Sequence, residues 1–96
     1  MIKLNYLAHS SFLVTCDGAK IIFDPWLNGP AFFRQWFLWP PPVKNAVKIK
    51  TDAIIITHGH EDHLHIPSLR EVDKNARVFF PFQWRDGAKS LLNHIR

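Results

Sequence analysis

Short β-prone runs separated by turn residues fill the first quarter of the chain: Ile2–Leu7, Ser11–Cys16 and Lys20–Phe23 read as the strands of a meander. Asp17-Gly18 between the second and third is a strong hairpin signal, because glycine takes a positive φ without steric cost. Asp24-Pro25 ends the third strand, since proline has no amide hydrogen to give a sheet ladder. From Trp26 to about Lys50 the pattern is irregular, with Phe32, Phe33, Trp36, Phe37, Trp39 and the run Pro40-Pro41-Pro42. Loops of that length are uncommon in small domains, and the aromatic density predicts a packed lid or wall. Asp52–Thr57 is a continuous apolar run of the kind expected of a strand buried on both faces, and it leads directly to His58. Ile66-Pro67-Ser68 opens a helix predicted to reach about Lys74, with the proline near the first turn, where its missing amide is harmless. Arg77–Phe80 is another short strand. Arg85–Ile95 reads as a helix with Leu91, Leu92 and Ile95 on one face, although Gly87 weakens its start. Three strands, a long loop, then β-α-β-α is an α/β pattern.

Composition narrows the class. Ninety-six residues suffice for one small domain at most, and 47% hydrophobic content with eight Phe and four Trp argues against disorder. No apolar run approaches the roughly 18–20 residues that cross a bilayer. The first residues also lack the basic and apolar pattern of a leader, so a cytoplasmic location and no transmembrane segment are expected. Cys16 is the single cysteine and cannot form an internal disulfide, which fits a reducing compartment; within a strand it is expected to be a small core residue. The net charge of +4 lies in the first half, where Arg34, Lys44, Lys48 and Lys50 form a stretch free of carboxylates. That stretch could attract an anionic substrate, a lipid headgroup or nucleic acid, although a solvated loop is the simpler account of the charge alone.

The segment that carries chemistry is Thr57-His58-Gly59-His60-Glu61-Asp62-His63-Leu64-His65. Four imidazoles and Asp62 follow the tip of an apolar strand, where α/β proteins place their sites. Neutral imidazole and carboxylate are the usual ligands of zinc and similar divalent ions, so one short loop can supply several of them. Gly59 allows the sharp turn between two of these ligands. The functionless alternative, a His-rich surface tract, is disfavoured by the attachment to a buried strand.

His58-x-His60-x-Asp62-His63 resembles the His-x-His-x-Asp-His signature of the metallo-β-lactamase superfamily, and Thr57 with the apolar strand before it strengthens the likeness. Asp24, after Ile21-Ile22-Phe23, is similar to that family's upstream Asp. Leu7-Ala8-His9-Ser10-Ser11-Phe12-Leu13 and Phe23-Asp24-Pro25-Trp26-Leu27 with Gly29-Pro30-Ala31-Phe32 resemble a narrower branch. It includes ascorbate-6-phosphate lactonase, N-acylphosphatidylethanolamine phospholipase D and the corresponding domain of CMP-N-acetylneuraminate hydroxylase. The resemblance implies His58 and His60 at a first metal and Asp62, also counted as catalytic, with His63 at a second. Two divalent ions, zinc by preference and iron or manganese equally suited to such ligands, would bridge a hydroxide for attack on an ester, lactone or phosphodiester. Asp24 would accept a hydrogen bond from a ligand and fix its orientation. His9 would sit at the cavity edge or be an ordinary loop histidine; His65 is more simply structural; Glu61 is a solvated side chain; and His94 has no role.

The resemblance also implies a deficit. Complete members add ligands from later strands, but beyond His65 there is only His94, and Asp73 and Asp86 fall in predicted helical regions. The expectation is therefore the N-terminal half of a four-layer αββα sandwich over residues 1–96: one mixed sheet with helices on one face, truncated at its C-terminus. Alone it should be inactive or weak, which leaves its standing as an enzyme open. Its other sheet face should be apolar and uncovered, inviting self-association or a partner chain. The expected substrate is small and anionic or lipid-like, with no nucleic acid partner. The competing reading is a non-catalytic fragment or binding module that associates with a partner chain or an anionic surface.

Overall fold

The computed structural model describes residues 1–81 and 85–95; the side chains of residues 85, 86, 88 and 89, Asp86 among them, lie outside the described part. Five strands form one mixed sheet in the order β1 (Ile2–Ala8), β2 (Ser11–Cys16), β3 (Ala19–Phe23), β4 (Ala53–Ile55) and β5 (Arg77–Phe79). The first three pair antiparallel, as the meander pattern predicts, while β3–β4 and β4–β5 are parallel. The Asp17-Gly18 turn takes positive φ at both residues, 49° and 87°. The long segment after β3 and helix α1 (Ile66–Glu71) make the two parallel crossovers, and α2 (Arg85–Ile95) follows β5.

Register divides the sheet into two unlike faces. Leu13, Ile22 and Ile54 are adjacent on one face, and all three are buried together with Leu69 and Val72 from the α1 region and Ile95 of α2. Ile2, Leu4 and Tyr6 of β1, Phe12 and Val14 of β2, Ile21 and Phe23 of β3, Ile55 of β4 and Phe79 of β5 occupy the opposite face. None of these is buried: Ile2 is 71% exposed, Leu4 64% and Phe79 47%. Among the described residues the helical layer thus lies on one side only.

Several expectations need correction. The strand before His58 is only Ala53–Ile55, and it is not buried on both faces, because Ala53 and Ile55 point to the uncovered side while Ile54 and Ile56 enter the core. The first helix stops at Glu71 because Val72 turns to extended backbone (ψ 152°) and drops its side chain into the core. The fifth strand ends at Phe79. Cys16 is exposed at the end of β2. After buried Trp26 and Leu27 the aromatic segment is largely unpacked, with Phe33 95% and Trp39 87% exposed, since beyond them only Ala31, Ala46 and neighbouring half-buried residues reach the core. A short Ala31–Trp36 bridge closes a turn in which Phe32, Phe33 and Arg34 all have positive φ. Lys48 and Lys50 are not remote from carboxylates in space, because they share a groove of about 600 Å³ with Glu71 and Asp73 as well as Arg70 and Lys74.

Candidate metal centre

The site is organised from a buried carboxylate outward. Asp24 directly follows β3 with φ 45°, and its backbone N–H donates to Ile55 O at 2.9 Å, locking it to the end of β4. Buried Ser11 fixes the other side, donating to Asp24 O (2.7 Å) and accepting from Trp26 N–H (2.9 Å). The Asp24 carboxylate is then presented to the loop after β4. Oδ1 accepts Thr57 N–H at 2.7 Å, and Oδ2 accepts the Thr57 hydroxyl at 2.6 Å and His63 Nδ1 at 2.8 Å. Three donors occupy this carboxylate, which is what a 4% exposed acid requires.

These bonds set tautomers. A carboxylate oxygen can only accept, so His63 Nδ1 carries a hydrogen, and in the neutral ring Nε2 is the lone-pair nitrogen. Thr57 spends its own proton on Asp24, so its oxygen accepts from His58 Nδ1 at 2.9 Å, which leaves His58 Nε2 as a second unprotonated nitrogen. The two rings lie against each other, 4.0 Å between centroids. Asp24 and Thr57 therefore fix the orientation of two imidazoles through Nδ1 and turn Nε2 of each away from these partners, the role that outer hydrogen-bond partners play around metals.

Asp62 faces the same space. Its Oδ2 lies 3.5 Å from His63 Nε2 and 2.9 Å from His9 Nε2. Partial burial pushes its carboxyl up, but the His9 hydrogen bond, the charge of His63 and a backbone hydrogen bond outweigh it and hold the group below the usual 3.8. Among the described residues, two sets of potential ligand atoms lie within 4.8 Å of one another: His9, Asp62 and His63, and Asp24, His58 and His63. His60 is exposed and joins neither, touching His58 by ring contact at 4.9 Å between centroids. Glu61 is exposed.

His65 is buried and caps α1: Nδ1 accepts from Ser68 N–H (3.3 Å) and contacts the Ser68 hydroxyl (2.8 Å), so Nε2 donates to Pro30 O (3.0 Å). Burial holds its pKa below the ordinary 6.5, against the Pro30 carbonyl and the Glu61 charge, which raise it. Ser68 Oγ also accepts Leu27 N–H at 2.8 Å. This network ties the start of the aromatic segment to the metal loop. Sequence reasoning missed Ser11 and Ser68; the available signal was a small hydroxyl within an otherwise apolar stretch.

Comparison with known proteins follows the same lines. Residues 3–93 match the family model described as Beta-lactamase superfamily domain. The cytidine monophosphate-N-acetylneuraminic acid hydroxylase of Danio rerio is 39% identical over 75 residues, which is 76% of this chain and 13% of that protein. The inactive human counterpart is 36% identical over 73 residues, 74% of this chain and 15% of that protein. The chain thus spans about one seventh of the length of these curated relatives. Among solved structures, an isothiocyanate hydrolase from Delia radicum gut bacteria superposes with a TM-score of 0.67 at 24% identity, covering 99% of this chain and 38% of that one. A metallo hydrolase from Ignicoccus hospitalis gives 0.61 at 28% identity, covering 94% and 36%.

Proposed function

Because the chain belongs to the β-lactamase superfamily, we propose that it is the metal-binding part of a hydrolase acting on an ester, lactone or phosphodiester of a small anionic or lipid-like substrate. The ligands are His58 and His60 on one side and Asp62 and His63 on the other. The observation that carries this reading is the fixing of His58 and His63 through Nδ1 by the Thr57–Asp24 pair, which leaves Nε2 of each neutral ring as the lone-pair donor. The donor set of imidazole and carboxylate suits zinc, with iron and manganese as alternatives. A bound divalent ion would supply Lewis acidity toward a carbonyl or phosphoryl oxygen and lower the pKa of water.

The chain's own residues supply the frame. Asp24 orients His63 and, through Thr57, His58, while Trp26 and His65 wall the site where the aromatic segment begins. The layout corresponds to one half of a four-layer αββα sandwich, and the uncovered sheet face is where a second layer, a partner chain or a second copy would pack. With two loop ligands per ion, hydrolysis by the 96-residue chain alone should be weak. Assaying a generic phosphodiester with added Zn2+ tests this: slow, chelator-sensitive turnover that Asp62→Ala abolishes is expected, and turnover unchanged by Asp62→Ala or by chelator would contradict it.

The exposure of Phe33, Phe37 and Trp39 beside Arg34 favours a second reading, in which this segment docks on an anionic lipid surface. Salt-sensitive sedimentation with anionic vesicles, lost on Trp39→Ala, is the expected result; no binding at low salt would remove it.

A further inference from the structure

His9 stands outside the His-x-His-x-Asp-His segment and 53 residues from Asp62, yet its Nε2 lies 2.9 Å from Asp62 Oδ2. It occupies the β1–β2 turn with φ 47°, a left-handed conformation uncommon outside glycine. Its ring is seated edge-on against buried Trp26, 5.0 Å between centroids. The indole is fixed in turn by donating to Gly29 O at 2.9 Å.

The surroundings of Asp62 Oδ2 are unusual. His63 Nδ1 gives a hydrogen to Asp24, so the nitrogen facing Asp62 at 3.5 Å is the one that carries the lone pair in the neutral ring. In that form two electron-rich atoms face each other, and a divalent cation between them would replace the proton that otherwise pairs them. The His9 nitrogen converges on the same oxygen. By contrast, the second potential set depends on Asp24, whose carboxylate already accepts three hydrogen bonds.

Resting on the reading of Asp62 and His63 as metal ligands, we propose that His9 is a third ligand and that His9 Nε2, Asp62 Oδ2 and His63 Nε2 together form a three-ligand site for a divalent transition metal. Two imidazoles and one carboxylate are a recurrent protein set for zinc that leaves a fourth position open. Here the side chains are 34%, 13% and 18% exposed, so solvent or a substrate oxygen can reach that position. On metal binding His9 carries its ring hydrogen on Nδ1, the nitrogen remote from Asp62. The β1–β2 turn thereby supplies a ligand that the loop after β4 lacks.

The test uses the 96-residue chain with Co2+ and Zn2+, comparing wild type, His9→Gln, His9→Asn and His63→Ala. Asparagine tolerates positive φ, so His9→Asn keeps the turn, while glutamine can still donate a hydrogen bond to Asp62; circular dichroism confirms folding of each. The proposal expects His9→Gln and His9→Asn each to remove one imidazole from the Zn2+ shell seen by X-ray absorption. Co2+ affinity should fall roughly 100-fold or more, beyond the usual effect of an outer hydrogen-bond partner. An unchanged imidazole count in both His9 variants, with binding lost in His63→Ala, overturns the assignment of His9 and leaves the metal centre standing. A wild-type chain that takes up neither ion overturns both.

Discussion

His58, His63 and His65 sit within eight residues of one another and have three different surroundings. His58 and His63 are partly open, each with Nδ1 bonded and Nε2 turned toward the site, whereas both nitrogens of His65 are spent inside the protein. His65 is therefore structural, and its neutrality is a condition of folding. Its folded pKa is below 6.5, so the unfolded chain takes up the proton first as pH falls. Its contribution to stability is present in full above 6.5 and is lost as pH drops through the lowered folded value. Urea midpoints measured from about pH 8 down to pH 5 should fall accordingly. His65→Gln should flatten that part of the profile while costing about 1–3 kcal/mol at neutral pH, because buried partners lose their bonds. An equally steep profile in the variant would show that another group is responsible.

At the scale of elements, the meander was legible because its information is local: period, β-propensity and the Asp17-Gly18 turn all lie within a few residues. The His- and Asp-rich loop after β4 stood out for the same reason, as a dense local motif. What could not be read were partners distant in sequence. His9 meets Asp62 across 53 residues, and Ser68 receives Leu27 N–H across 41. Burial of the aromatic segment was misjudged because apolar composition shows what a segment can bury, and only the neighbours decide whether it does. The short β4 strand links these levels, since Ile54 anchors the core while Ile55 O fixes Asp24. Ile54→Ala should destabilise the fold by about 2–5 kcal/mol. Metal affinity should fall with it under destabilising conditions; a loss of under about 0.5 kcal/mol in a denaturation curve would mean that the β4 core contact is not what holds the site.

At the scale of the whole molecule, the described residues cover the sheet on one side and leave the other bare. Ile2, Leu4, Tyr6 and Phe79 lie on the bare side, with half-buried Phe12, Val14, Ile21, Phe23 and Ile55 between them. A continuous apolar face of that kind drives association. Sedimentation of the 96-residue chain should show concentration-dependent dimers or larger species that Leu4→Lys with Tyr6→Lys disperses. A stable monomer at high concentration would remove the expectation.

The central claim is that the loop after β4, oriented by Asp24, binds a divalent metal. Its most direct test is the metal content of the purified chain by plasma mass spectrometry, after incubation with Zn2+ and exhaustive dialysis, for wild type and for His63→Ala. Retention of Zn2+ by the wild type and its loss in the variant, with folding preserved in both, is the predicted result. Equal retention by the two, or none by the wild type, would contradict it.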